Sequence, residues 1–167
     1  MAKVEGHTWR LDEKSIKFSE EVIKAGGEKI SICFQCGTCT ATCPVRKFDE
    51  TYNPRLIVRA AVLGLKEKVF SNNLIWLCAS CYSCTERCPR GVAPTEIIRV
   101  IRNLAVKEGY VHQFYKLQAE AITQFGRLYQ DEEFINEMRS DMMLPPVIPV
   151  NLEEVTKILH VTKQKGI

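Results

Sequence analysis

The sequence predicts a mainly α fold, a cysteine-bearing helical module with additional N- and C-terminal helices. Three observations predict it. Apolar residues recur at helical spacing through most of the chain, strand signals are weak and confined to Lys29–Ile32, and all eight cysteines fall in two runs of identical spacing. From Asp12 to Ala25, apolar Ile16, Phe18, Val22, Ile23 and Ala25 form an imperfect stripe that Gly26-Gly27 should close. Asn53 and Pro54 make an N-cap and first-turn pair, and Leu56, Ile57, Ala60, Ala61, Val62, Leu63 and Leu65 supply a broad apolar face behind it. A short helix through Leu74–Trp76 should lead into Cys78. After Pro94, Ile97, Ile98, Val100, Ile101, Leu104, Ala105 and Val106 continue the pattern to Gly109, with Arg99, Arg102 and Lys107 expected on the outer side. A further helix is expected from about His112 to Tyr129, continuing in pieces to Arg139. The connector Leu144–Pro149 follows, and Asn151 with Glu154 opens a last helix in the manner of a capping box. These readings divide the chain into an N-terminal helical segment (1–27), a central module (28–110) and a C-terminal helical extension (111–167) suited to docking a partner.

The cysteine runs carry the chemistry. Cys33-x2-Cys36-x2-Cys39-x3-Cys43-Pro44 is repeated as Cys78-x2-Cys81-x2-Cys84-x3-Cys88-Pro89. This is the ligand pattern of bacterial-type two-cluster ferredoxins, in which the fourth cysteine of each run serves the other cluster. The resemblance implies two [4Fe–4S] clusters, one on Cys33, Cys36, Cys39 and Cys88, the other on Cys78, Cys81, Cys84 and Cys43. Steps of three residues let a coiled loop present three thiolates to three corners of a cubane. Gly37, Thr38 and Thr40 are small enough to bring backbone N–H groups near sulfur, and Ser80, Ser83 and Thr85 could act likewise in the second loop, where Tyr82 stands at the position of Gly37. Because hydrogen bonds to sulfur and exposure tune the potential, the two clusters should be inequivalent.

Zinc and disulfides are the competing readings. Four ligands suffice for a structural zinc, so a third regularly spaced cysteine followed by Cys-Pro in both runs exceeds what zinc needs. Disulfide frameworks belong to small secreted chains lacking a sufficient core. Here 167 residues are 46% hydrophobic, and Met1–Gly6 carry no apolar leader stretch, so a cytoplasmic location is expected. No run approaches 18 uninterrupted apolar residues, so no membrane span is expected. The formal charge of +3 becomes about −1 once two clusters, each about −2 with its thiolates, are counted. No basic stripe interleaved with aromatics is present, which leaves nucleic-acid binding without support.

Thirty-four residues separate Cys43 from Cys78 and 79 follow Cys88, far more than a minimal ferredoxin requires. The sequence Cys36-Gly37-Thr38-Cys39-x3-Cys43-Pro44, followed by Asn53-Pro54-Arg55, Gly64, Trp76-x-Cys78 and Cys88-Pro89-Arg90-Gly91-Val92, resembles the alpha-helical ferredoxin module. In particular it is similar to the C subunits of heterodisulfide reductase from methanogens and related anaerobes, over roughly residues 28–110. The resemblance implies an electron-transfer subunit of an oxidoreductase. It would pass electrons from a flavin-containing A subunit, the site of electron bifurcation, to an iron–sulfur B subunit that reduces the mixed disulfide of coenzyme M and coenzyme B in methanogenesis. A hydrogenase or formate dehydrogenase could stand upstream in a larger complex. No cysteines remain for an added [2Fe–2S] domain of the succinate dehydrogenase kind, and no Cys-Cys pair is present, so substrate reduction would sit on another subunit. The alternatives are a freestanding ferredoxin-like carrier, the iron–sulfur subunit of another anaerobic oxidoreductase, or an iron–sulfur sensor. The near-zero holoprotein charge and the extra helices disfavour a shuttle, and eight enclosed ligands suit a labile sensor poorly.

Elsewhere the sequence offers little chemistry. His7, His112 and His160 lack ligand spacing and read as surface or packing residues. Trp76 and Tyr82 are expected to fill core and shield a cluster. Arg87 and Arg90 beside Cys88 stand evenly between solvation and pairing with cluster or partner charge. Met142–Pro149 reads as a tether packed on its own domain or a docking arm.

Overall fold

The computed structural model describes residues 11–71, 73–129 and 133–162, so His7 lies outside the described residues. The chain divides into two compact units, one ending at Tyr110 and one beginning at Val111. Among the described residues the secondary structure is helical and contains no strand.

Three helices form the frame of the first unit: α1 (Glu13–Val22), α4 (Pro54–Val62) and α7 (Pro94–Lys107), each packed against the other two. Each start has a local cause. Asp12 caps α1 by accepting from the Ser15 N–H, and the Ser15 hydroxyl answers the Asp12 N–H, which closes a capping box. Asn53 caps α4 through the Leu56 N–H at 3.1 Å, and Pro54 occupies its first turn. Pro94 does the same for α7. The apolar stripes then meet. Phe18 and Val22 of α1, Val58 and Ala61 of α4, and Ile97, Ile98, Ile101 and Ala105 of α7 are buried together. Phe18 and Phe70, the latter on α5 (Lys66–Phe70), pack edge to face at 5.3 Å between centroids.

α1 and the residues after α4 approach closely at Gly64. Its φ of +68° lies in the left-handed region, and a Cβ there would collide with the Ser15 backbone. Only glycine satisfies both conditions.

The glycine pair after α1 ends the helix by way of a π-helical turn, Ile23–Gly27, in which Gly26 takes φ +112°. The chain then enters a 3₁₀ helix, Glu28–Ile32, where a strand was the plausible expectation for Lys29–Ile32. The reason is hydrogen bonding. A lone strand would leave its backbone groups without a neighbour, whereas 3₁₀ bonds are local and bury Ile30 alone. A second 3₁₀ helix, Asn73–Leu77, leads into Cys78 as the apolar residues suggested.

Arg102 departs from expectation. It is half-buried instead of lying on the outer side of α7 with Arg99 and Lys107. Its Nε donates to the Ile75 carbonyl at 2.8 Å, and its Nη2 donates to the carbonyls of Trp76 (3.0 Å) and Cys78 (2.7 Å). The guanidinium also lies over the Trp76 ring at 5.7 Å. A 3₁₀ helix leaves its last carbonyls without intrahelical partners; here one rigid fork gathers three, fixing the backbone that delivers Cys78.

The second unit contains α8 (Gln113–Phe125), α9 (Glu133–Asp141) and α10 (Leu152–Val161). His112 caps α8, its Nδ1 accepting from the Phe114 N–H, and Asn151 caps α10 through the Glu153 and Glu154 N–H groups. The proline-rich connector lies on its own unit. Arg127 donates to the Ile148 carbonyl, Arg139 to the Pro145 carbonyl, and the Val147 N–H to Asn136. None of the described residues of this unit is buried.

Two stability measurements follow from the first unit. Gly64→Ala should destabilise by roughly 2 kcal/mol or more, combining left-handed strain with a backbone collision. Gly109→Ala, at φ +81° with open space around it, should cost only about 1 kcal/mol; anaerobic thermal unfolding of both variants checks the difference. Arg102→Met should cost roughly 2–3 kcal/mol by leaving three carbonyls without their charged donor, and Arg102→Lys should recover only part of it in the same assay.

Candidate metal centre

Both cysteine runs fold into the same local structure, and backbone bonds within each run explain it. Gln35 and Ser80, each between the first and second cysteine, take positive φ (62° and 51°), as do Gly37 and Tyr82 after the second cysteine (88° and 61°). Gly37 and Tyr82 open short helices, α2 (Thr38–Ala41) and α6 (Ser83–Glu86), which carry the third cysteines, Cys39 and Cys84. The fourth cysteines end the turns through Cys43 N–H to the Thr40 carbonyl and Cys88 N–H to the Thr85 carbonyl, both at 3.3 Å. The threonines then tie each loop to the helix that follows it. Thr40 donates to Asn53 Oδ1 at 2.8 Å and accepts from the Arg55 N–H, while Thr85 accepts from the Thr95 N–H.

The eight sulfurs ring two cavities. Cys33, Cys36, Cys39 and Cys88 line one. Cys43, Cys78, Cys81 and Cys84 line the other. Each is therefore completed by the fourth cysteine of the opposite run. After Pro44 comes α3 (Pro44–Phe48), while the second run goes without a helix to α7. Among the described residues, no three His, Cys, Asp or Glu side chains converge closely enough to hold a single ion. The sulfurs stand around spaces, which suits a multi-iron core with one thiolate per corner better than a zinc needing four bonds of about 2.3 Å to one point. α2, which carries Cys39, packs on α6, which carries Cys84.

Donors surround the sulfurs. Gln35 Nε2 donates to Cys33 at 3.2 Å, and the Val92 N–H donates to Cys88 at 3.3 Å. Hydroxyls of Thr38 and Thr95 lie 3.3 Å from Cys36 and 3.1 Å from Cys84, and that of Ser83 lies 3.6 Å from Cys81. A thiolate bound to iron has no proton, so in the loaded protein each hydroxyl must be the donor. The thiols already divide by position. Hydrogen bonds from Thr38 and Ser83 pull exposed Cys36 and Cys81 below the ordinary thiol range, whereas burial pushes Cys39 and Cys84 above it. Tyr52 is 1% exposed and lines the second cavity together with Cys78. Burial, with the negative sulfurs around it, holds its phenol far above the usual tyrosine range.

The sequence named the cysteines but not their company. Tyr52, Thr95 and Arg55 lie outside the cysteine runs, and Gln35 fills a variable position within one, so the spacing gives none of them a role. The only signal was that Tyr52 and Arg55 flank the Asn53-Pro54 start of α4. Of the two arginines beside Cys88, Arg90 lines the first cavity and Arg87 does not. Trp76 and Tyr82 line neither cavity. Tyr82 is 37% exposed; its left-handed backbone starts α6 and its hydroxyl accepts from Arg99 at 3.2 Å.

Comparison with known proteins identifies the cofactors and the family. A family model for a 4Fe–4S dicluster domain matches residues 29–92, so the cofactors of this chain are [4Fe–4S] clusters. The chain is 38% identical over 152 residues to the C subunit of the H2:CoB–CoM heterodisulfide,ferredoxin reductase of Methanothermobacter thermautotrophicus, covering 87% of this chain and 82% of that protein. It is 35% identical to the iron–sulfur C subunit of the CoB–CoM heterodisulfide reductase of Methanopyrus kandleri, over 87% and 77% of the two chains. It is 33% identical to the C subunit of the ferredoxin:CoB–CoM heterodisulfide reductase of Methanosarcina mazei, over 86% and 91%. No helix among the described residues is long and apolar enough to cross a membrane. With two sulfur-ringed cavities, the dicluster match and relatives of this identity spanning most of its length, the chain belongs to the family of heterodisulfide reductase C subunits.

Proposed function

We propose that this chain is the electron-transfer subunit of a heterodisulfide reductase, relaying electrons from a flavin-containing A subunit to a B subunit that reduces the coenzyme M–coenzyme B disulfide. The observation that carries the reading is the pairing of two four-cysteine cavities whose third cysteines, Cys39 and Cys84, sit on helices α2 and α6 that pack together. The relatives' names, which specify heterodisulfide and ferredoxin reductases, support the choice of complex. Cys33, Cys36, Cys39 and Cys88 would hold one cluster, and Cys78, Cys81, Cys84 and Cys43 the other. Such a cluster supplies one-electron uptake and release at nearly fixed geometry. The chain's own part is to hold thiolates at the corners and present hydroxyl and amide donors to their sulfurs. Arg102 fixes the approach to Cys78, and α2 stays against α6 so that the two centres remain close. Passing electrons requires no substrate pocket. A second unit with no buried residue among those described supports a resident subunit held by partners over a freely diffusing carrier.

Two experiments test this reading. Native anaerobic purification should yield the chain together with a flavoprotein and a further iron–sulfur subunit; elution alone at 19.1 kDa, active as a mobile carrier, would overturn it. Crossed ligation is tested by pairing substitutions. Cys43→Ala with Cys81→Ala should damage one cluster only and leave about four irons per chain with one intact EPR signal. Loss of both signals in that double variant would mean that each run serves its own cluster.

A further inference from the structure

The two cavities are pseudo-equivalent, and one turn of chain serves both. Pro54 and Pro94 begin the helices that follow the two cysteine runs. Counting from those prolines, Tyr52 corresponds to Val92 and Arg55 to Thr95. Tyr52 and Thr95 line the second cavity, and Val92 and Arg55 line the first. The repeat is therefore broken in its chemistry at both pairs of positions. The second cavity is lined by two buried residues that carry hydroxyls, Tyr52 beside Cys78 and Thr95 with its hydroxyl 3.1 Å from the Cys84 sulfur. At the matching places the first has an apolar side chain and a guanidinium, and the Arg55 side chain lies across the loop with its Cδ 3.9 Å from where a Cβ on Gly37 would stand.

The turn holding Tyr52 and Arg55 is well anchored. The Tyr52 N–H donates to the Asp49 carbonyl at 3.1 Å, Asn53 accepts from Thr40, and the Arg55 N–H donates to the Thr40 hydroxyl at 3.2 Å. Two side chains three residues apart thus face different centres from one fixed piece of backbone. Adding an electron makes a cluster more negative. A donor on a ligand sulfur favours that state, and so does a nearby cation in a half-buried setting. The first cavity is not without donors of its own, since Gln35 reaches Cys33, but it alone is lined by arginine.

We propose that Tyr52 and Arg55 tune the two clusters separately, the Tyr52 hydroxyl raising the potential of the cluster at Cys78 and the Arg55 guanidinium that of the cluster at Cys33. Both are positioning residues, acting through sulfur or through space and ligating nothing. The inference rests on the reading that the two cavities hold the clusters.

The test is an EPR-monitored reductive titration of the holoprotein. Tyr52→Phe and Arg55→Gln should each move one reduction step to lower potential while leaving the other in place, and the steps moved should differ. Each shift is expected to reach about a tenfold change in the reduced-to-oxidised ratio at fixed solution potential, 59 mV for a one-electron couple. Arg55→Lys, which keeps the charge, should restore most of its shift. Tyr52→3-fluorotyrosine keeps the shape and strengthens the donor, so it should move the Tyr52-dependent step upward even where Tyr52→Phe loads iron poorly. Both variants moving the same step, or neither moving any while about eight irons per chain are retained, would overturn the assignment. A wild-type preparation that never takes up about eight irons would instead sink the cluster reading beneath it.

Discussion

Neither cysteine run can finish a four-sulfur cavity by itself. Cys43 must reach the space bounded by Cys78, Cys81 and Cys84, and Cys88 the space bounded by Cys33, Cys36 and Cys39. That exchange dictates the rest of the first unit. It forces α2 against α6, and it requires α4 and α7, the helices following each run, to lie together beneath the loops. Their meeting surface becomes the core, with Val58 and Ala61 set against Ile97, Ile98 and Ile101. The apolar faces and the sulfur geometry thus enforce each other. Helices packed correctly bring the fourth cysteines across, and metal bound by both runs would lock that packing, since binding energy at a site absent from the unfolded chain is folding energy.

The connections between the runs and their following helices explain how the symmetry is broken. Ten residues separate Cys43 from Pro54, but only five separate Cys88 from Pro94. The longer arm has room for α3 and for the Asp49 turn, in which the Asp49 carboxylate accepts from the Thr51 N–H at 2.8 Å. That turn delivers a full tyrosine into the second cavity. The shorter arm brings Val92 close with its own backbone, whose N–H bonds directly to Cys88. A long arm offers a side-chain donor and a short arm offers a main-chain donor.

Much of this was legible in the sequence because it depends on local rules. The cysteine spacing, the Asn53-Pro54 cap and the apolar stripes of α4 and α7 each rest on a few neighbouring residues. What was illegible depends on distant partners. Helical periodicity puts Arg102 outside, and only the carbonyls of residues 75, 76 and 78, brought alongside by the fold, turn it inward. Lys29–Ile32 alternates as a strand would, but no neighbouring strand exists among the described residues to accept it. α2 and α6 are four residues each, too short to show a period at all. Tyr82 occupies a glycine-like place, and its ring suggested shielding, yet its hydroxyl meets Arg99, 17 positions away. Tyr52 looked like a loop residue because nothing in its neighbourhood names the sulfur it meets 26 positions later.

Backbone symmetry has a consequence for charge. Two loops with matching φ values, matching caps and matching fourth-cysteine bonds present nearly the same main-chain dipoles to their centres. Whatever distinguishes the centres must come from side chains and burial. A hydrogen bond to a charged group contributes about 1.5–3 kcal/mol, and a unit charge at ~7 Å under an effective dielectric of ~20 contributes about 2 kcal/mol. Hydroxyl and cation are therefore matched in scale, and neither can be ignored. Exposure decides among the cations themselves. Arg90 is open to water, which screens it, whereas Arg55 is half-buried, so of the two arginines lining the first cavity Arg55 carries the larger influence. The same reasoning applies in the second cavity, where Cys43, Cys84, Tyr52 and Thr95 are all buried. There the surroundings resist added negative charge, and each neutral donor counts for more than it would at the surface.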